Sequence, residues 1–445
     1  MENISNSRIK EFSIYNLFGD RNVTIKFNEN VMVLVGENGL GKTTILNIIY
    51  YTLSCEFKKL WRIKFDNIHI KFDDGNSINI NRKDIYPRKK VLKHYRYNEE
   101  DSVKMEIVIN DYDGESYKKI IDSDYDVYEK NGDFYFDDEK IEKYDSIIRN
   151  YQEKMEPYLD GKILYFPTYR RIEEDLYKIR SVNSIREKNL IKENRNILQF
   201  GMEDVKGIFK KILEDIKSSS LNGYTQVTGK MITNLVDATS QSKITKDVKN
   251  SIQDIKTIDI ILSRIDDHNL SKDDKQKIRN LIESKEIFEG ELYKPLIHLL
   301  SDLIRVYNQQ QRKQDQAIKT FVSVCNSYLV NKFFEYDESV LTLEVYNKKN
   351  MKEVNLSDLS SGEKQIVAIF SKLFLSVDDD FILLFDEPEL SLSIEWQEKL
   401  LVDIVNSGKC KFLLAVTHSP FIFNNELKGF ARSIDLFIEE LNGNE

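Results

Sequence analysis

Two rhythms of apolar residues alternate along this chain. Near its start, "EFSIYNLFG" (11–19) and "NVTIKFN" (22–28) alternate apolar and polar positions, the period of half-buried antiparallel strands. "NVMVLV" (30–35) is apolar almost throughout, as a strand covered on both faces would be. "TTILNIIYYTL" (43–53) then changes to helical spacing, with Ile45, Ile48, Ile49 and Leu53 on one stripe. From about 60 to 135 the period-two pattern returns. There, Asp74-Gly75 and Asn131-Gly132 are the turn pairs that tight hairpins favour. A charged helix is expected over about 137–158, followed by a short strand in "GKILYFP" (161–167).

Residues 172–330 are polar and mostly helical in period, as in "GIFKKILEDIK" (207–217) and "LYKPLIHLLSDLIRVYNQQ" (292–310). Heptads are not sustained, so an irregular helical insertion fits better than a long coiled coil. The end of the chain returns to α/β. It reads as strand "LTLEVYN" (341–347), a serine–glycine knot at 359–363 with a helix behind it, strand "FILLF" (381–385), helix "IEWQEKLLVDIV" (394–405) and strand "KFLLAV" (411–416). Three parts follow: 1–171, 172–330 and 331–445.

Composition narrows the setting. A 445-residue chain that is 41% hydrophobic can bury a large core. With 65 basic against 74 acidic residues the formal net charge is -9, which argues against a wholly nucleic-acid-coating surface. The three cysteines, Cys55, Cys325 and Cys410, are far apart and form no C-x-x-C pair, so neither a disulfide framework nor a cysteine zinc site is expected. The N-terminus lacks the apolar stretch of a signal peptide, and no apolar run approaches the roughly 20 residues that span a bilayer. A soluble, cytoplasmic protein without membrane partners is the expectation.

The chemistry concentrates in four short stretches. "GENGLGKTT" (36–44) is a complete phosphate-loop pattern between an apolar strand and a helix. Gly36, Glu37, Asn38, Gly39 and Gly41 would wrap backbone N–H groups around phosphate oxygens at the N-terminus of the helix that carries Thr44. Lys42 would meet the β and γ oxygens of ATP, and the Thr43 hydroxyl would ligate Mg²⁺. "FILLFDEPE" (381–389) delivers two carboxylates at the end of an apolar strand, Asp386 for the Mg²⁺ shell and Glu387 to polarise an attacking water. "FLLAVTHSP" (412–420) repeats that geometry and presents Thr417-His418, where a neutral imidazole can hydrogen-bond a γ-phosphate or the water. His69, His94, His268 and His298 lack such a setting and read as structural. Finally, Ser360 and Glu363 form a capping box before Ile366, Ile369, Phe370 and Leu373, the stripe of a buried helix.

The order of these stretches resembles the ABC-type ATPases of the RecF/SMC/Rad50/OLD group. The resemblance implies an α/β fold: an ABC/SMC-like P-loop NTPase head, with a mixed sheet and an antiparallel β subdomain, split by the helical insertion. "LSSGE" (359–363) stands where that family has its signature, with Ser361 in place of the first glycine and Glu363 in place of the transporter glutamine. By that resemblance Ser360, Ser361, Gly362 and Glu363 contact the nucleotide of a second subunit, and two composite sites form only in a head-to-tail dimer. Three departures stand out. The glutamine between phosphate loop and signature is not obvious; "YFPTYRRIEEDL" (165–176) stands in its place, with Thr168, Arg170 or Arg171 as candidate substitutes. Ser393-Ile394 replaces a common His-Pro. The short stretch after His418 holds no TOPRIM nuclease. "YNLFG", "LSSGEKQ" and "THSPFIFNNEL" look most like the stand-alone ATPases of bacterial anti-phage systems of the Septu, retron-associated or PARIS type, which act with a separately encoded nuclease or toxin.

Two further runs read blandly. "YPRKKVLKHYRY" (86–97) interleaves five cations with aromatics, as a single-strand surface would, but fits the solvated face of a hairpin better. Asp378 to Asp380 form a solvated turn. The function expected is an ATPase that senses or regulates an effector protein. Its rival is a RecF-like repair clamp that closes on DNA with ATP, which the net charge does not favour.

Overall fold

The computed structural model describes residues 4–37, 39–85, 90–97, 103–110, 116–121, 128–130, 133–135, 138–167, 202–236, 245–376 and 380–441. Strands β1 (Ile9–Leu17) and β2 (Arg21–Lys26) pair antiparallel, and β3 (Val31–Val35) leads through the phosphate loop into α1 (Lys42–Leu53) and the short α2 (Phe57–Trp61). β4 (Asn67–Phe72) and β5 (Ser77–Asn81) form the hairpin expected around Asp74-Gly75. A second antiparallel sheet holds β6 (Lys90–Tyr97), β7 (Val103–Asn110), β8 (Ser116–Ile121), β9 (Tyr128–Lys130) and β10 (Asp133–Tyr135). Lys130 faces Asp133 across the last pair, while Asn131-Gly132 lie outside the described residues. The charged helix is α3 (Asp138–Met155), and β11 (Lys162–Phe166) follows it.

The helical segment runs through α4 (Met202–Val236), α5 (Lys246–Ile252), α6 (Ile255–Ser263), α7 (Lys272–Glu283), α8 (Lys294–Gln310) and α9 (Arg312–Asn326). The hairpin β12 (Lys332–Asp337) and β13 (Thr342–Asn347) leads to α10 (Ser361–Leu375), β14 (Phe381–Asp386), α11 (Ile394–Asn406) and β15 (Cys410–Thr417). Two short strands close the chain, β16 (Ala431–Ser433) and β17 (Ile438–Glu440).

The central sheet has the order β11-β14-β15-β3-β16, all neighbours parallel. Its all-apolar strands are buried on both faces, as parallel sheets require. Val31, Val33, Leu383, Phe385, Leu413 and Ala415 face α10 and α11. Met32, Leu34, Ile382, Leu384, Leu414 and Val416 face α1 and the first antiparallel sheet, in which β17 extends the order β17-β2-β1-β4-β5. Full burial of each such side chain contributes about 1.5–3 kcal/mol.

The helical segment is rooted in this core. Met202, Val205, Phe209, Ile212 and Ile216, spaced along one stripe of α4, pack with Ile318, Phe321 and Cys325 of α9 and with α10. Farther out, Val227, Ile258, Ile261, Ile297, Leu300 and Ile304 build a separate core. Of the part boundaries read from sequence, 171/172 lies outside the described residues and 330/331 falls in the turn between α9 and β12.

One buried charge cluster bolts the two cores together. Arg264, at the end of α6, is 2% exposed and donates to Asp315 and Gln311 at 2.7 Å each, and to the Glu338 carbonyl at 3.0 Å. Tyr336 of β12 also donates to Asp315. Removing one partner strands a buried charge, so Arg264→Ala should destabilise the protein by about 3–5 kcal/mol. Denaturant unfolding of Arg264→Ala and of Arg264→Met/Asp315→Leu checks this, and the double variant should recover much of the loss. An Arg264→Ala protein as stable as wild type would show that the cluster does not hold the segment.

Candidate active site

Chain order hides the arrangement of the catalytic edge. β15 is the last long strand, yet it inserts between β3 and β14 and hydrogen-bonds to both. The three loops that leave the carboxyl ends of these strands therefore lie side by side, with that of β15 in the middle. In such sheets ligands bind at this edge.

The phosphate loop needs its glycines for two different reasons, space at Gly36 and backbone conformation at Gly39 and Gly41. A Cβ on Gly36 would lie 2.6 Å from Ile434 Cγ2, and Gly39 and Gly41 take φ of 93° and 80°, the left-handed region that glycine enters without strain. Asn38 lies outside the described residues. Gly41 caps α1, which has no side-chain cap and no acidic residue in its first turn, so its N–H groups and positive end face the loop. Lys42 is buried, and its Nζ donates to the carbonyls of Gly36 at 2.7 Å and Glu37 at 2.6 Å. Burial lowers the lysine pKa, against the pull of Glu387 and Asp386.

Lys42 Nζ also lies 3.3 Å from His418 Nδ1. An ammonium only donates, so Nδ1 is the acceptor in this contact and Nε2 is the nitrogen left to donate. That atom faces Glu387 Oε1 at 3.6 Å, too long for a direct hydrogen bond. Glu387 itself has φ of 49°, a conformation that costs a non-glycine residue about 1–2 kcal/mol. The kink turns its side chain away from the line of β14 and toward His418. One residue earlier, buried Asp386 accepts from the Thr43 hydroxyl at 3.0 Å. A hydroxyl and a carboxylate so placed suit a hard cation that takes its other oxygens from phosphate and water, the coordination Mg²⁺ prefers.

Two residues that the sequence reading did not single out belong here. Glu389 accepts from the Thr417 hydroxyl at 2.8 Å, the His418 N–H at 2.8 Å and the Ser419 N–H at 3.2 Å, clamping the histidine loop to the acidic one. The only signal for it was a third acid at the end of "DEPE". Phe18 has φ of 58°, is 43% exposed, and would come within 3.9 Å of a Cβ on Gly41. It offers an aromatic face beside the loop.

The serine–glycine knot is a second helix N-terminus of opposite character. At α10 both bonds of the capping box are present, the Glu363 N–H to Ser360 Oγ at 3.4 Å and the Ser360 N–H to Glu363 Oε2 at 2.7 Å. Glu363, expected beside the nucleotide, is buried and turned back to Ser360 and to Lys332, which holds its two oxygens at 3.0 and 2.9 Å. Burial alone would raise the Glu363 pKa, but these bonds outweigh it and the net shift is downward. Ser360 and Ser361 are exposed. A Cβ on Gly362 would lie 2.5 Å from the Ser391 carbonyl, so only glycine lets α10 approach the turn after β14. Among the described residues no hydrogen bond or ion pair joins 359–363 to the phosphate loop. Ser393 caps α11 with no side-chain bond and Ile394 is exposed.

Other expectations fall outside the site. Thr168, Arg170 and Arg171 lie outside the described residues, as do 86–89 and Asp378 and Asp379. Residues 90–97 form β6, and Asp380 makes a surface ion pair with Lys411 at 3.4 Å. Among the described residues no helix is long and apolar enough to cross a membrane.

A parallel sheet with a phosphate loop, an acidic strand end and a histidine between them is the layout of a P-loop nucleotide-binding domain. Residues 8–423 match the AAA ATPase domain family, and the chain belongs to it. Over 194 residues it is 28% identical to the Retron Vc95 probable ATPase of Vibrio cholerae serotype O1 biovar El Tor, a match that covers 40% of this chain and 34% of that protein. The chain thus spans about a third of the length of this relative. Among solved structures it is similar to the Smc head domain with an extended coiled coil bound to the C-terminal domain of ScpA from Pyrococcus furiosus, at 15% identity and a TM-score of 0.35 over 94% of this chain and 91% of that one. The SmcHead bound to the C-winged helix domain of ScpA matches at 12% identity and the same TM-score and coverage.

The Glu389 clamp generates a prediction. Glu389→Ala leaves the His418 N–H and the Thr417 hydroxyl without their acceptor, while the Ser419 N–H keeps Thr417 Oγ1 at 2.9 Å. This lets His418 drift, and a displacement near 1 Å can cost about a hundredfold in rate. Steady-state phosphate release from ATP should fall by about ten- to a hundredfold, with Glu389→Gln less affected because it keeps one acceptor oxygen. Wild-type turnover in Glu389→Ala would mean that the histidine loop does not need this clamp.

Proposed function

We propose that the chain is a Mg²⁺-dependent ATPase whose two composite sites form between head-to-tail copies, and that it senses or regulates a separately encoded effector, a nuclease or toxin, in anti-phage defence. The observation that carries the ATPase reading is the line Lys42–His418–Glu387 beside the Thr43–Asp386 pair. Backbone N–H groups of residues 36–44 take the phosphates, with Thr44 in the first turn of α1. Lys42 exchanges its loop carbonyls for β and γ oxygens. Thr43 and Asp386 hold Mg²⁺, which neutralises charge on the phosphate oxygens when bound. Glu387 orients the water and takes its proton as the water oxygen bonds to the γ phosphorus and the bond to the ADP oxygen breaks. His418 steadies the γ-phosphate, and Phe18 offers the base a stacking face.

The composite-site part of the reading is supported by exposed Ser360 and Ser361 on a helix N-terminus that, among the described residues, makes no bond to its own phosphate loop. The defence role is supported by the relative's name as a retron ATPase.

Three measurements test this. Lys42→Ala should lose binding of a fluorescent ATP analogue. Glu387→Gln should keep that binding, while hydrolysis falls by about 10²–10⁴-fold, the usual worth of a general base. Wild-type turnover in Glu387→Gln would remove Glu387 as the base. For the defence role, cells carrying this gene with its genomic neighbours should resist phage, and Lys42→Ala should abolish that protection. Equal plaque counts with and without the intact genes would contradict the role.

A further inference from the structure

Lys332 opens β12, far in sequence from the phosphate loop, yet it grips the first turn of α10. Three observations set its pair with Glu363 apart from an ordinary surface ion pair, which contributes little. The Glu363 side chain is 10% exposed, and Lys332 bonds to both of its oxygens. One of those oxygens also takes the Ser360 N–H at 2.7 Å, so the carboxylate fastens the turn. The exposed Ser360 hydroxyl accepts the Glu363 N–H at a long 3.4 Å and also lies within reach of the Glu363 carboxylate. Its hydrogen can turn from that carboxylate, which Lys332 already holds, to an acceptor outside the chain.

We propose that Lys332 is a positioning residue for the nucleotide bound by the partner copy. It holds Glu363 so that Ser360 presents its hydroxyl outward, and it neutralises a carboxylate that would otherwise repel the incoming triphosphate. Coulomb repulsion between Glu363 and a γ-phosphate acts even without contact, and Lys332 is the cation bonded to that carboxylate. The proposal rests on the composite-site reading above, in which the knot of one copy completes the site of the other.

The test mixes two inactive full-length proteins. Lys42→Ala lacks a working phosphate loop but keeps its knot, whereas Ser360→Arg lacks the knot but keeps its phosphate loop. Their mixture should regain ATP hydrolysis, read as phosphate release with Mg²⁺, because one composite site per mixed dimer is intact. Lys332→Met is then added to one protein or the other. On the Lys42→Ala copy, which supplies the knot, it should cut the regained rate at least about tenfold more than on the Ser360→Arg copy. Lys332→Arg on the knot-supplying copy should restore most of that rate. A general folding defect would not produce the asymmetry, since either copy unfolded silences the mixture. Equal effects of the two placements, or no effect of either, would overturn the role of Lys332 alone. A mixture that regains no activity before Lys332 is touched would overturn the composite-site reading, and this proposal with it.

Discussion

The position of β15 between β3 and β14 determines the rest of the catalytic edge. Because this strand hydrogen-bonds to the phosphate-loop strand on one side and the acidic strand on the other, His418 emerges between Lys42 and Glu387. Moving β15 to the sheet edge would separate all three. The Glu389 carboxylate then ties the acidic loop to the histidine loop through three hydrogen bonds. The strain stored at Glu387, φ of 49°, is tolerated because its N–H is held by the Val416 carbonyl at 2.8 Å, again from β15.

Two helix N-termini divide the anion chemistry. At α1 no side chain caps the helix, and glycines leave its N–H groups open to phosphate. At α10 the cap is complete and braced by Lys332, and only the serine hydroxyls project. A helix start that already satisfies its own backbone is poor at enclosing a phosphate but good at presenting a rigid, small polar surface to one held elsewhere. In the composite-site proposal, that physical difference assigns binding to one copy and completion to the other. β12 extends the brace outward, since Tyr336 on the same strand donates to Asp315 in the cluster that bolts down the helical segment. The helical segment and the knot thus share a strand.

Much of this was legible in the chain. Strands β3, β14 and β15 are apolar almost throughout, and nothing but a doubly covered strand buries such a run without a helix's length. The phosphate loop and the capping box depend on residue types at fixed spacing, which sequence displays directly. Strand order was not legible, because "FILLF" and "FLLAV" are equally apolar and local pattern does not distinguish a middle strand from its neighbour. Phe18 escaped notice because a left-handed turn built from Asn16 and Phe18 has no glycine to announce it at those positions. Glu363 was expected to face a ligand, but its neighbour Lys332 comes from 31 residues upstream and only the fold brings them together. The polar look of residues 172–330 likewise hid that α4 and α9 are rooted in the main core.

The central claim is that ATP joins two copies through the knot at Ser360. Light scattering on Glu387→Gln protein, with and without ATP and Mg²⁺, tests it most directly, alongside the same protein carrying Ser360→Arg. The account predicts that ATP raises the mass of Glu387→Gln and that Ser360→Arg prevents the rise. A mass indifferent to both ATP and Ser360→Arg would contradict it, and the nucleotide would then act within an assembly built by other surfaces.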